Sequence, residues 1–161
     1  MVTLTKSTFI ENLARELANH AWSEITPNFE AEGTKFDLYA KKQSMHFWQL
    51  FVATSPQFID QLAFEEYANL HEALRKKAKS WIWQNFTILC VIAETGVSPD
   101  ITGKVDKYSI GFFQRMVGGC LLCIVDLPKR ESHMKVPGIP VPVHTITREF
   151  KDIVDRTLSS S

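Results

Sequence analysis

The chain has 161 residues, 18 Lys and Arg balance 18 Asp and Glu, and 45% of its residues are hydrophobic. Seven Gly and seven Pro exclude a low-complexity or fibrous chain, while 11 Phe and 4 Trp provide apolar surface for a core, so one soluble globular domain is predicted over residues 1–161. A formal net charge of zero disfavours tight non-specific nucleic-acid binding, which needs an excess of Lys and Arg to release counterions, and leaves nucleic acid a partner that the charge does not favour.

Thr8 and Glu11 have the spacing of a capping box. Ile10, Leu13, Ala14, Leu17 and Ala21 then repeat on one helical face, which predicts a helix over 8–22. Pro27 ends helical tendency. Phe29 and Ala31, alternating with Asn28, Glu30 and Glu32, form a short strand, and Gly33-Thr34 reads as a turn. Lys35 to Lys41 alternates strictly, with Phe36, Leu38 and Ala40 on one face and Asp37, Tyr39 and Lys41 on the other. His46 to Thr54 is a nearly continuous apolar run, as in a strand covered on both faces, so a three-strand meander is expected.

Ser55-Pro56 has the residue types of a helix start. Ile59, Leu62, Ala63, Tyr67, Leu70 and Leu74 mark one apolar stripe to about Lys79. Trp81 to Glu94 is a second buried strand, reached by a helical crossover. A short helix is expected over 100–108, a buried strand over 119–127 and a polar turn over 129–135. Pro137, Pro140 and Pro142 remove ladder donors from Val136 to Val143, so that segment reads as an extended edge or surface stretch. Ile146, Phe150, Ile153, Val154 and Leu158 close the chain with a helix over 145–158. These elements make an α/β fold, with α+β as the alternative, built on a central mixed sheet of five or six strands with helices on its faces.

Cys90, Cys120 and Cys123 lie inside apolar runs, as reduced core cysteines do, which points to a cytoplasmic protein. Residues three apart on a strand face opposite sides, so Cys120-Leu-Leu-Cys123 is read as packing rather than as a zinc or redox motif. Met1 to Ile10 lacks the apolar segment of a signal peptide. No apolar run approaches the ~20 residues of a membrane span, and no membrane partner is expected. His20, His46, His71, His133 and His144 show no metal-ligand spacing on one helix, and Gly118-Gly119 lacks the rest of a nucleotide-binding fingerprint. The basic pair Lys41-Lys42 and the run from Arg75 to Lys79 read as solvated or helix-end charge.

The order helix, three strands, helix, strand, shorter helix, strand and last helix resembles the core of the restriction-endonuclease-like superfamily over about residues 8–127. The resemblance implies an Asp on the second strand, a Glu-x-Lys on the third and a Glu from the first helix, together holding Mg²⁺ and activating water. Asp37 falls at the Asp position, and the matching triplet is Gln49-Leu50-Phe51, which lacks the lysine. Lys41 is the candidate replacement, and Glu11 or Glu16 the added carboxylate.

Three functions are consistent with these residues. The favoured one is a non-catalytic protein of this fold without cofactor, acting through a protein partner or self-association. The apolar residues Val136, Pro137, Ile139, Pro140 and Pro142 would supply its contact surface. The second is a divergent Mg²⁺-dependent nuclease, with Asp37 and Gln49 as metal ligands and Lys41 and Glu11 completing the catalytic set. The third is a small-molecule binding module with an aromatic pocket around Trp48, Trp81 and Trp83.

Overall fold

A computed structural model describes residues 3–44, 46–78, 85–105, 118–137 and 141–160. Helix α1 (Lys6–Asn19) leads into three consecutive strands, β1 (Ser23–Ala31), β2 (Thr34–Gln43) and β3 (Phe47–Ser55). Helix α2 (Gln61–Ala78) crosses to β4 (Asn85–Ala93), and the short α3 (Pro99–Thr102) precedes β5 (Gly118–Asp126). The three-residue β6 (Glu131–His133) and helix α4 (Val141–Ser159) complete the chain.

The strands form one six-stranded mixed sheet in the order β1-β2-β3-β4-β5-β6. The β1–β2, β2–β3 and β5–β6 pairs are antiparallel. The β3–β4 and β4–β5 pairs are parallel, as helical crossovers require. The meander and the parallel β4 reached through α2 therefore stand as the sequence reads them.

One face of the sheet is covered by α1 and α4. Phe9, Leu13 and Leu17 of α1 join Val143, Phe150, Ile153 and Val154 of α4 in a core with the inward residues of β2 to β5. Phe64 and Leu74 of α2 and Ile101 of α3 cover the opposite face. Along β4, Ile88, Cys90 and Ile92 belong to the first core and Leu89, Val91 and Ala93 to the second, so the strand is buried on both sides. Cys120 and Cys123 divide between the two cores as their spacing demands, and all three cysteines are buried and free.

Several boundaries differ from the sequence expectation. Helix α1 is capped by Thr5, whose Oγ1 accepts the Thr8 amide at 3.2 Å, so Thr8 is the third helical residue. Leu4 and Phe9 are both buried at the positions of a hydrophobic staple around that cap, which moves the start forward. Ala21 lies beyond the helix with φ 62° and is exposed. Strand β1 begins at Ser23, earlier than the Phe29–Ala31 stretch suggests. Its turn is the pair Glu32-Gly33, with φ 53° and 67°, the left-handed pair favoured in two-residue hairpins. Phe36 packs with Tyr39 and Phe51 in the α2-side core rather than with Leu38 and Ala40, so the alternation of β2 breaks at its start. There β1 carries the left-handed Asn28 (φ 51°), and the β2–β3 pairing has ended at Leu38.

Ser55 remains in β3, paired with Ala93, and Asp60 starts α2 by accepting the Ala63 amide at 2.9 Å. Along α2, Leu74 is buried and Ala63, Tyr67 and Leu70 pack on the same core as the stripe predicts, but Phe64 joins them while Leu62 is 71% exposed. The polar stretch after β5 contains β6, which closes a hairpin onto Asp126 and Val125. Val141 to Val143 are the first turn of α4, where Pro142 costs no helical hydrogen bond, so this part of the expected extended segment is helical. Ile139, Pro140, Trp81 and Trp83 lie outside the described residues. No helix among the described residues is long and apolar enough to cross a membrane.

Candidate functional site

The carboxylate and lysine set expected on β2 and β3 does not assemble. Lys41 pairs with Gln49 across the two strands and Leu38 with Val52, which puts Asp37 four residues along the ladder from Gln49. At ~3.3 Å per residue that separation is about 13 Å, beyond the reach of two ligands to one metal ion. Asp37 turns to Lys6 of α1 at 3.7 Å, whereas Gln49 bonds to Tyr39 on the α2 side. Lys41 is held by Glu24 of β1 at 2.9 Å, and that contact raises the ammonium's affinity for its proton. Glu11 is exposed on α1, and Glu16 stands 3.9 Å from Arg156 of α4. Among the described residues, no group of three or more His, Cys, Asp or Glu is placed to hold a metal ion.

The expected contact surface is also mostly withdrawn from solvent where it is described. Pro137 is buried, and Val136 and Pro142 are half-buried against the domain. Trp48 is fully buried and stacks on Phe86 at 4.8 Å within the α1/α4-side core.

A pocket does exist on the opposite face. It lies between the sheet and the last turns of α2, with a volume of about 200 Å³. Phe29 of β1, Tyr39 of β2 and Phe51 of β3 form its aromatic wall, and Leu74 of α2 closes one side. Phe29 and Tyr39 stack nearly parallel, 4.1 Å apart at 13°, and Phe51 tilts against Tyr39 at 5.0 Å. Such offset and tilted pairs suit the ring quadrupole and fix the wall's shape.

The polar lining comes from Gln49, Tyr39 and Thr87. Gln49 Nε2 donates to the Tyr39 hydroxyl at 2.8 Å. Burial pushes the Tyr39 phenol above its ordinary value, outweighing the opposing pull of Gln49 and Lys41, so the hydroxyl keeps its proton at neutral pH. At the mouth, Lys77 of α2 and Glu32 of the β1–β2 turn form an ion pair. The pocket is thus a half-enclosed aromatic site with a small amide and hydroxyl cluster, the composition general to small-molecule sites.

The sequence carries only part of the signal for this site. Tyr39 and Lys41 share a strand face, and Gln49 stands out as a possible metal ligand, but nothing local joins Gln49 to Tyr39 or brings Leu74 over both. Four strands and one helix contribute to the pocket, so tertiary packing alone creates it.

No protein-family model matches the chain, and no curated protein does. Among solved structures, the chain is similar to a protein of unknown function from Silicibacter pomeroyi, 14% identical over 99% of this chain and 92% of that one, with a TM-score of 0.37. A likeness that slight establishes neither fold nor function.

Proposed function

We propose that this chain is a non-catalytic binding protein on a restriction-endonuclease-like sheet, and that its site is the aromatic pocket between the sheet and α2. The observation that carries the reading is the pocket itself, where stacked rings and a half-buried amide–hydroxyl pair surround about 200 Å³ of space. Element order from α1 to β5 supports the finer fold assignment, and the three buried free thiols support a reducing, cytoplasmic setting.

The test is an amide NMR titration of the full chain with phenol, a ring of suitable size. Saturable shifts at Tyr39, Gln49, Phe51 and Leu74 are expected, and Leu74→Trp, which fills the space, should abolish them. Shifts scattered over the surface, or unchanged by Leu74→Trp, would reject the pocket as a binding site.

Self-association is a second reading, favoured by Phe58 and Leu62, which are 49% and 71% exposed beyond the carboxyl end of β3. Sedimentation velocity of the wild type beside Leu62→Glu checks it. A concentration-dependent dimer that Leu62→Glu removes is expected, and a monomer at all concentrations rejects the reading.

A further inference from the structure

The size and polar lining of the pocket, together with the reading that it binds a small molecule, define the kind of molecule it takes. We infer that the pocket holds a neutral, single-ring planar compound with an adjacent hydrogen-bond donor and acceptor on one edge, as in a cyclic amide.

Size sets the ring count. An apolar cavity of about 150 Å³ accommodates benzene, so the roughly 200 Å³ here takes one six-membered ring with small substituents. Shape sets planarity. Phe29 and Tyr39 present a flat stacked wall, and Phe51 at 54–58° to its neighbours leaves a slot that a flat ring can enter face-on or edge-on.

Hydrogen-bond capacity sets the edge. A side-chain amide has two N–H donors and a carbonyl acceptor, and a phenol has one donor besides its lone pairs. The Gln49–Tyr39 bond at 2.8 Å uses one amide proton and one phenol lone pair. It leaves the Gln49 carbonyl, the second amide proton and the Tyr39 proton without a partner among the described residues. An apolar ring would cover these groups and leave them unsatisfied, which costs ~1–3 kcal/mol per group. A cyclic amide answers them, its N–H meeting the Gln49 carbonyl and its C=O accepting from the Gln49 amide or the Tyr39 hydroxyl.

Charge sets neutrality. The charged side chains lining the pocket, Glu32 and Lys77, neutralise each other at its mouth. An ionised ligand would lose its hydration against aromatic walls without gaining a counter-charge inside.

The experiment is a calorimetric and NMR titration of the full chain with three probes of similar size: 2-pyridone, 1-methyl-2-pyridone and benzene. Only 2-pyridone carries both donor and acceptor on one edge. It should bind about tenfold or more tightly than either comparison, the equivalent of one good hydrogen bond. Gln49→Leu should remove the preference for 2-pyridone over 1-methyl-2-pyridone, which rests on the ligand N–H meeting the Gln49 carbonyl. The comparison of the three probes on the wild type needs no variant, so it stands even if Gln49→Leu folds poorly.

Equal binding of all three probes at the pocket would overturn the donor–acceptor inference while leaving the pocket as a binding site. Failure of every probe to perturb Tyr39, Gln49 and Leu74 would overturn both.

Discussion

His71 lies on the sheet-facing side of α2, almost fully buried, and its Nε2 donates to the Cys120 carbonyl at 2.8 Å. Burial pushes the imidazole below its ordinary value of 6.5, while the Cys120 carbonyl and Glu72 oppose that shift and Arg75 adds to it. The unfolded chain then takes up a proton near pH 6.5 that the folded chain refuses. Stability is therefore complete above pH 6.5 and is lost as pH falls toward the depressed folded value. In urea unfolding between about pH 7.5 and 5, the wild type should lose stability on acidification and His71→Gln should lose less. Parallel curves for the two proteins would show that His71 does not carry the effect. Lys42 provides a second test, because its side chain is only 10% exposed and its ammonium donates to the His20 carbonyl and to Glu149, each at 2.6 Å. Lys42→Ala leaves both acceptors short of a partner and should cost about 1–3 kcal/mol in chemical denaturation, with Glu149→Gln costing less. In the sequence, Lys42 reads as one half of a basic pair, since its partner Glu149 is 107 positions away. Contacts of that separation leave no periodic signal, whereas the burial of Leu13, Leu17, Phe150 and Val154 repeats every helical turn and is legible in the order of residues alone.

The start of α2 shows how two local signals compete within one connection. Ser55 and Pro56 have the residue types of a cap and first turn, yet Ser55 is held in β3 by its pairing with Ala93 and donates its hydroxyl to the Gln57 carbonyl. The helix waits for Asp60, which accepts the Ala63 amide through its side chain and the Phe64 amide through its carbonyl. Ile59 just before it is fully buried and bridges to Val97, so the loop is anchored before the helix begins. This delay turns Leu62 outward and Phe64 inward, so of the stripe read from the sequence Leu62 alone leaves the buried face, while Ile59, Ala63, Tyr67, Leu70 and Leu74 stay on it. Asp60→Ala should lower stability by about 1 kcal/mol, shifting the urea midpoint without changing the slope. Ser55→Ala removes the hydroxyl's bonds with the Gln57 carbonyl and with Tyr67 but no helix cap, so circular dichroism should show the helical content unchanged; a loss of helix would return the cap to Ser55. By contrast, β3, β4 and β5 are plain in the sequence, because strands buried on both faces need unbroken apolar runs and tolerate few polar interruptions.

At the scale of the whole molecule, the sheet's centre is its most protected part and the cysteines report on it. Cys90 and Cys123 are register partners on β4 and β5, and their mutual hydrogen bond together with burial pushes the Cys90 thiol well up. Cys120 faces the other core, where burial raises its thiol too. A thiolate is the reactive form, so each of these two groups is disfavoured twice over, by enclosure and by protonation. The strands carrying them are the inner, parallel ones, with the meander on one side and β6 on the other. Opening that centre requires lifting α2 from one face or α1 and α4 from the other, which removes most of a core in either case. An aromatic disulfide reagent should therefore label no cysteine of the native chain quickly and all three in denaturant. The native rate should fall below that of the unfolded chain by about 10³-fold or more, the scale of a global unfolding equilibrium. Urea below the unfolding midpoint should accelerate labelling with the same slope that governs global unfolding. Rapid labelling with no urea dependence would show that β4 and β5 open locally, and the pocket wall that Thr87 of β4 helps to form would then be the element to watch for its own opening.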